Sequence, residues 1–259
     1  MTPHVEYLLR LGDSSLVLGQ RLAEWTGHGP VLEEDIAMTN IALDYIGQAR
    51  LLLTHAGKLE GAGRDEDALA YFRDARAFRN FTLTELPNSG IEKGRTQSAC
   101  YAFTVVRNLL YAAWQGELWL ALADSTDREL AAIAAKSAKE TAYHLRHASD
   151  WVVRFGDGTE ESHARAQRAL DALMPYTNEL FAADAVEDAV AASGVGVRGA
   201  NLREAWKIEV GTVLKEAGLA WPADSVFEST GKRGLHSEHL DYVLAEMQSL
   251  ARAHPGAQW

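Results

Sequence analysis

Cysteine is all but missing from this 259-residue chain: Cys100 stands alone, so no intramolecular disulfide holds the fold. No apolar run approaches the roughly 20 residues that a membrane crossing needs. The first residues, MTPHVEYLLRLGDSS, lack the basic start and unbroken apolar stretch of a secretory signal. Basic residues are outnumbered, 25 Lys and Arg against 36 Asp and Glu, and the formal net charge of −11 comes without any Lys/Arg run. Nucleic acid, which needs a basic footprint, is excluded as a partner, and so is the membrane. The expected location is the cytoplasm. No Ser-His-Asp or Walker signature is present, so neither of those enzyme classes is announced by a motif. Only AVAASGVGVRG hints at extended structure, too little for a sheet.

What the chain does have is 47% apolar and 24% charged residues, the proportions of a globular protein with a sizeable core. With no repeat, low-complexity tract or linker, residues 1–259 read as one helical domain. Leu8, Leu11, Leu18, Leu22 and Trp25 fall on a 3-4 spacing, predicting an amphipathic helix from His4 to Trp25 that TGHGP ends. A second helix starts at Glu33, Glu34 and Asp35, carboxylates favoured by the helix dipole, and runs to Leu59 as the other arm of an antiparallel hairpin. A crossover helix from Leu69 to Leu86 ends at PNSG. Long helices follow from Thr96 to Ala123 and from Arg128 to Phe155. Thr159 to Ala183, disturbed at Pro175, Asn201 to Ala217 and Glu238 to His254 complete the set. The class is all-α, four long helices with a crossover helix and added C-terminal helices.

Helix bundles that hold two metals use one Glu from each of two helices and a Glu-x-x-His from each of the others, all at one height. In an antiparallel hairpin, residues equidistant from the turn face each other. Asp13 and Asp44 are symmetric about the His28–Gly29 peptide, about 23 Å along each helix at 1.5 Å per residue. In the second hairpin Glu140, with His144 one turn on, is mirrored through Ala123 and Asp124 by Arg107, a cation where the pattern wants an anion. The helix carrying Arg107 has no Asp, Glu or His from Thr96 to Gly116, and so supplies no metal carboxylate. A divalent ion beside a guanidinium is repelled by several kcal/mol at intermediate dielectric. The expectation is a vestigial centre without metal, cofactor or catalytic residues, in which Arg107 holds Asp13, Asp44 and Glu140, with His144 beside them, in a buried ion-pair network. Removing Arg107 then costs ~3–5 kcal/mol. The alternative is a di-iron or di-manganese oxidase using Asp13, Asp44, Glu140 and His144 with an unconventional further ligand. A third possibility is a stand-alone helical binding module.

LLRLGDSSLVLGQRLAEWTGHGP, NIALDYIGQARLLL, AKETAYHLRHASDWVVRFGDGT, TGKRGLHSEHLDYVLAEMQ and the terminal PGAQW together resemble the PaaC-type subunits of bacterial phenylacetyl-CoA 1,2-epoxidase, from the first helix to the last residue. The resemblance implies a ferritin-like subunit with a structural role, paired with a homologous catalytic subunit, PaaA, that carries a di-iron centre. It further implies association with PaaB and with PaaE, a reductase bringing FAD, an iron-sulfur cluster and NADPH. The implied reaction is oxygen-dependent epoxidation of the phenylacetyl-CoA ring in phenylacetate degradation. Pairing of related bundles buries a broad apolar face, for which the seven tryptophans are suited as anchors. In GLHSEHL, His236 and His239 are spaced for metal, but Ser237 suits a helix cap better; GKRG, Gly231 to Gly234, reads as a solvated loop.

Overall fold

The computed structural model describes residues 1–91 and 99–257. Helix follows helix: α1 Pro3–Ala23, α2 Leu32–Glu60, α3 Glu66–Tyr71, α4 Thr82–Glu85, α5 Tyr101–Leu122, α6 Arg128–Asp157, α7 Glu160–Leu173, α8 Asn178–Phe181, α9 Ala185–Ala192, α10 Arg203–Glu216 and α11 Glu238–Ala253. Among the described residues the only extended pairing is the isolated bridge Thr230–Leu235. The all-α, ferritin-like class therefore stands. The expected start of the third long helix at Thr96 lies outside the described residues, as do the last two residues of PGAQW.

The chain divides into two compact units, Met1–Leu86 with Thr230–Trp259, and Pro87–Ser229. In the first, α1 and α2 form the long hairpin. Thr2 caps α1 by accepting from the Val5 N–H, and Pro3 occupies the first turn, where its missing N–H costs nothing. Gly61, at φ 68°, ends α2 in the left-handed region that glycine enters without strain. The hairpin is tight: a β-carbon on Gly12 would stand 2.9 Å from Leu53, and one on Gly19 3.0 Å from Ile46. Leu8, Val17, Leu18 and Leu22 of α1 and Met38, Tyr45 and Leu52 of α2 are fully buried.

The expected crossover helix from Leu69 to Leu86 is instead broken into α3, a 3-10 turn at Ala75–Ala77 and α4. The physical reason is competition for backbone donors. The Arg79 N–H goes to Asp13 Oδ2 at 2.8 Å and the Phe81 N–H to Ser14 Oγ at 3.1 Å, so α1 side chains take the bonds that a helix here would need.

In the second unit α5 and α6 form the long hairpin, with α7 and α10 packed on α5. Asp127 caps α6 by accepting from the Glu129 and Leu130 N–H groups. The Pro175 disturbance appears as a 3-10 turn, Met174–Thr177, between α7 and α8. The segment expected to be extended, Ala189–Gly199, forms no strand: its first four residues are the end of α9, which Asp184 caps by accepting from Val186 and Glu187, and the chain then turns at Gly194, φ 73°. α10 lies directly against its own unit: the Trp206 indole donates to the Leu110 carbonyl at 2.9 Å.

Candidate functional site

At the middle of α1, Asp13 is fully buried, and both its oxygens are engaged. The Arg73 guanidinium forks onto them, Nη2 to Oδ1 and Nη1 to Oδ2 at 3.0 Å, and the Arg79 N–H completes the shell. Arg73 is itself buried. It donates to the Leu69 and Ala77 carbonyls and lies 4.4 Å from the Phe78 ring centroid. A bidentate guanidinium is a strong, geometrically demanding partner for a desolvated carboxylate. The cation on Asp13 is therefore Arg73, a residue that mirror symmetry between long helices could not find. RDARAFR carries three arginines at every third position, and spacing alone does not say which turns inward.

Within each hairpin the residues expected to face each other lie at different heights, which corrects the mirror pairing. Gly12 packs on Leu53 and Gly19 on Tyr45, so the first hairpin is symmetric about Leu32 and Glu33, not about His28 and Gly29. Asp13 stands level with the Leu52 region, and Asp44 with Arg21, about 12 Å further along the hairpin at 1.5 Å per residue. The cause is in the turn. Trp25, Thr26 and His28 donate to Leu22, Ala23 and Trp25 carbonyls, so the chain keeps advancing beyond α1 before it reverses at Gly29.

The second hairpin shows the same slip. Thr141 Oγ1 donates to Gln115 Oε1 at 3.2 Å, which centres the register on Arg128 rather than on Ala123 and Asp124. Glu140 is thereby level with Gly116, about 13 Å from the level of Arg107. It pairs with Lys136 at 3.4 Å, and its side chain is 21% exposed. Arg107 is fully buried and donates Nη2 to Asn88 Oδ1 at 2.8 Å. Asn88 also accepts from Thr104 Oγ1 and, through its carbonyl, from the Cys100 N–H, tying the start of α5 to the segment before it. His144 is buried on α6. Asp13 with three donors on its two oxygens, two of them from one guanidinium, Asp44 two turns away and Glu140 beside a lysine do not fit a bridged pair of metal ions in either unit.

A second buried carboxylate, which the sequence did not disclose, sits at Glu85 in α4. It accepts from the Ser237 N–H at 2.6 Å and Asn80 Nδ2 at 2.8 Å, and pairs with His236 Nδ1 at 2.8 Å. Arg21 Nε donates to the Glu85 carbonyl and Arg21 Nη2 to the His239 carbonyl. His239 is held below the usual histidine range by burial first and by Arg21 second. Ser237 does cap α11, accepting from the His239 N–H. The GKRG stretch is not a solvated loop: Lys232 is buried, with Nζ 5.9 Å from the Phe81 ring centroid, and a β-carbon on Gly231 would meet the Asn80 carbonyl at 2.5 Å.

On its outer side α2 exposes Leu32, Ile36, Leu43 and Leu51, by 72, 52, 60 and 36%. At 100° per residue the four fall within one face about 100° wide, and Gly47, where an added β-carbon would meet nothing, lies in its middle. The same arc also carries the exposed Glu33, Asn40, Arg50 and Lys58, so the face is a mixed one, with apolar side chains set among polar ones. Among the described residues the tryptophans are poor candidates for partner anchors: Trp25, Trp114, Trp119 and Trp206 are buried in their own units, and only Trp221, at 41%, is well exposed.

The model of the family described as phenylacetic acid catabolic protein, which covers PaaA and PaaC, matches residues 1–259. The chain is 46% identical over 253 residues to the C subunit of the 1,2-phenylacetyl-CoA epoxidase of Escherichia coli strain K12, covering 98% of each chain. A family match over every residue and a relative of this identity over nearly the full length of both chains establish that the chain belongs to the phenylacetic acid catabolic protein family.

Proposed function

We propose that this chain is the structural, non-catalytic subunit of a 1,2-phenylacetyl-CoA epoxidase, acting in the cytoplasm in aerobic phenylacetate degradation. The observation that carries the reading is the engagement of both Asp13 oxygens by Arg73 and the Arg79 N–H, which puts a fixed positive charge where a metal-bearing bundle needs a free carboxylate. Oxygen chemistry then belongs to a homologous di-iron subunit of the PaaA type, with PaaB, and with electrons from NADPH delivered through the FAD and iron-sulfur groups of PaaE. This chain's contribution is mechanical. Its α2 face, Leu32, Ile36, Leu43 and Leu51, is the surface offered to the catalytic subunit, whose helices it would support through a mixed interface. Asp13, Asp44, Arg107, Glu140 and His144 are on this reading the dispersed polar remnant of a metal-binding ancestor.

The test is metal analysis of the iron-supplied protein together with co-purification of the untagged catalytic subunit. The expected result is negligible iron in this chain alone and stable association with that subunit. Near-stoichiometric iron lost on replacement of Asp13, Asp44, Glu140 or His144 would establish the oxidase reading instead. A chain that ignores the catalytic subunit would be a stand-alone binding module.

A further inference from the structure

Within the first unit, the contact that brings the C-terminal segment onto α4 has an unusual proton requirement. Both ring nitrogens of His236 face acceptors. Nε2 lies 3.1 Å from the Phe78 carbonyl, and Nδ1 lies 2.8 Å from Glu85 Oε2. A carbonyl has no hydrogen to give, so Nε2 must carry one. In a neutral imidazole Nδ1 would then be bare, its lone pair aimed at a carboxylate oxygen across 2.8 Å, in a place where the two side chains are only 5% and 0% exposed. That arrangement is repulsive unless a proton lies between them.

Its residence follows from the other donors. Glu85 already has the Ser237 N–H on Oε1 and Asn80 Nδ2 on Oε2, so both its oxygens act as acceptors and the hydrogen between it and the ring is assigned to Nδ1. The other charged groups near the pair come from each element packed against it. Arg21 of α1 bonds the Glu85 and His239 carbonyls and also Glu24. Arg79 Nη1 shares the Phe78 carbonyl with His236, Lys232 is buried against Phe81, and Glu238 and His239 open α11. Arg21 and Lys232 oppose a further positive charge, and the contact at 2.8 Å outweighs them because it is direct and desolvated.

We infer that His236 is a doubly protonated latch, clamped between Glu85 and the Phe78 carbonyl, whose proton must be present for the α11 segment to stay docked on its unit. Folding in this region therefore takes up a proton. The latch is complete below the ordinary histidine value of about 6.5, and it weakens as pH rises through the value at which the docked pair gives its proton up. The undocked ring loses its proton first, so docking weakens by about tenfold per pH unit in between.

Two measurements on the full chain test this. Nitrogen NMR of the histidine rings at about pH 7.5, above the ordinary histidine value, is expected to show His236 protonated at both nitrogens, and a singly protonated ring would overturn the assignment. Hydrogen exchange at Leu240, Val243 and Leu244, corrected for intrinsic rates, is expected to lose protection by about tenfold per pH unit above about 6.5. In His236→Gln the same profile should be flat. Equal slopes in the two proteins would overturn the latch. Should the variant not fold, the ring signal and the wild-type profile still decide, and a flat wild-type profile refutes the idea.

Discussion

Replacing Arg73 by alanine isolates the buried charge pair at Asp13. The variant leaves Asp13 fully buried with only the Arg79 N–H of its present three donors, and also removes the guanidinium from the Phe78 ring. Breaking a buried pair by removing one partner costs ~3–5 kcal/mol, because the surviving charge is left without compensation. For a chain of this size 1 kcal/mol moves the melting temperature by about 2–4 °C, so Arg73→Ala is expected to melt about 6–20 °C below the wild type. The companion variant removes both charges: Asp13→Asn with Arg73→Met keeps an oxygen for the Arg79 N–H and fills the guanidinium's space with apolar atoms. Its loss is expected to be about 1–2 kcal/mol, since a buried pair is often no better than a packed apolar substitute. Thermal and urea unfolding of the single and double variants supply the measurement. A single variant that melts within about 2 °C of the wild type, or a double variant no better than the single, would refute the reasoning.

Arg107→Ala should also destabilise, by about 1–3 kcal/mol, through the bond to Asn88 and the void left by a fully buried side chain; urea unfolding checks it. Leu43→Asp, at a position 60% exposed on α2, should leave the melting temperature within the scatter of surface substitutions yet prevent co-purification with the catalytic subunit. Gly156→Ala places a β-carbon 1.9 Å from the Ala217 carbonyl oxygen, so α6 and the end of α10 must separate. A loss of about 1–3 kcal/mol is expected on unfolding. His239, held below the usual range, contributes stability that is present above about pH 6.5 and is lost as pH falls through its folded value. His239→Gln should therefore flatten the acid limb of a melting-temperature profile.

The long helices were legible because each carries the two signals that local physics writes plainly, a 3-4 apolar spacing and a capped or glycine-closed end. α2 at Leu32–Glu60 and α6 at Arg128–Asp157 lie within two residues of their expected limits. Register was not legible. It depends on how far the chain continues in helical turns after a helix formally ends, and the bonds of Trp25, Thr26 and His28 shift the opposing residues by several positions. The broken crossover was hidden for a related reason: whether the Arg79 and Phe81 N–H groups stay in a local helix or go to Asp13 and Ser14 is decided by residues 60 or more positions away. The buried site was half visible. Asp13 announced itself as a carboxylate on an apolar face, whereas Arg73, Glu85 and His236 become neighbours only through tertiary contacts.

The interrupted segment between α3 and α4 bears on the order of assembly. Its backbone is shaped by an imprint from α1, with Asp13 and Ser14 acting as the die. Freed from that die, the Arg79 and Phe81 N–H groups lose the acceptors that hold the break in place, and the shape of residues 66–86 is no longer fixed. The segment acquires its native shape only after the first helix exists to receive it.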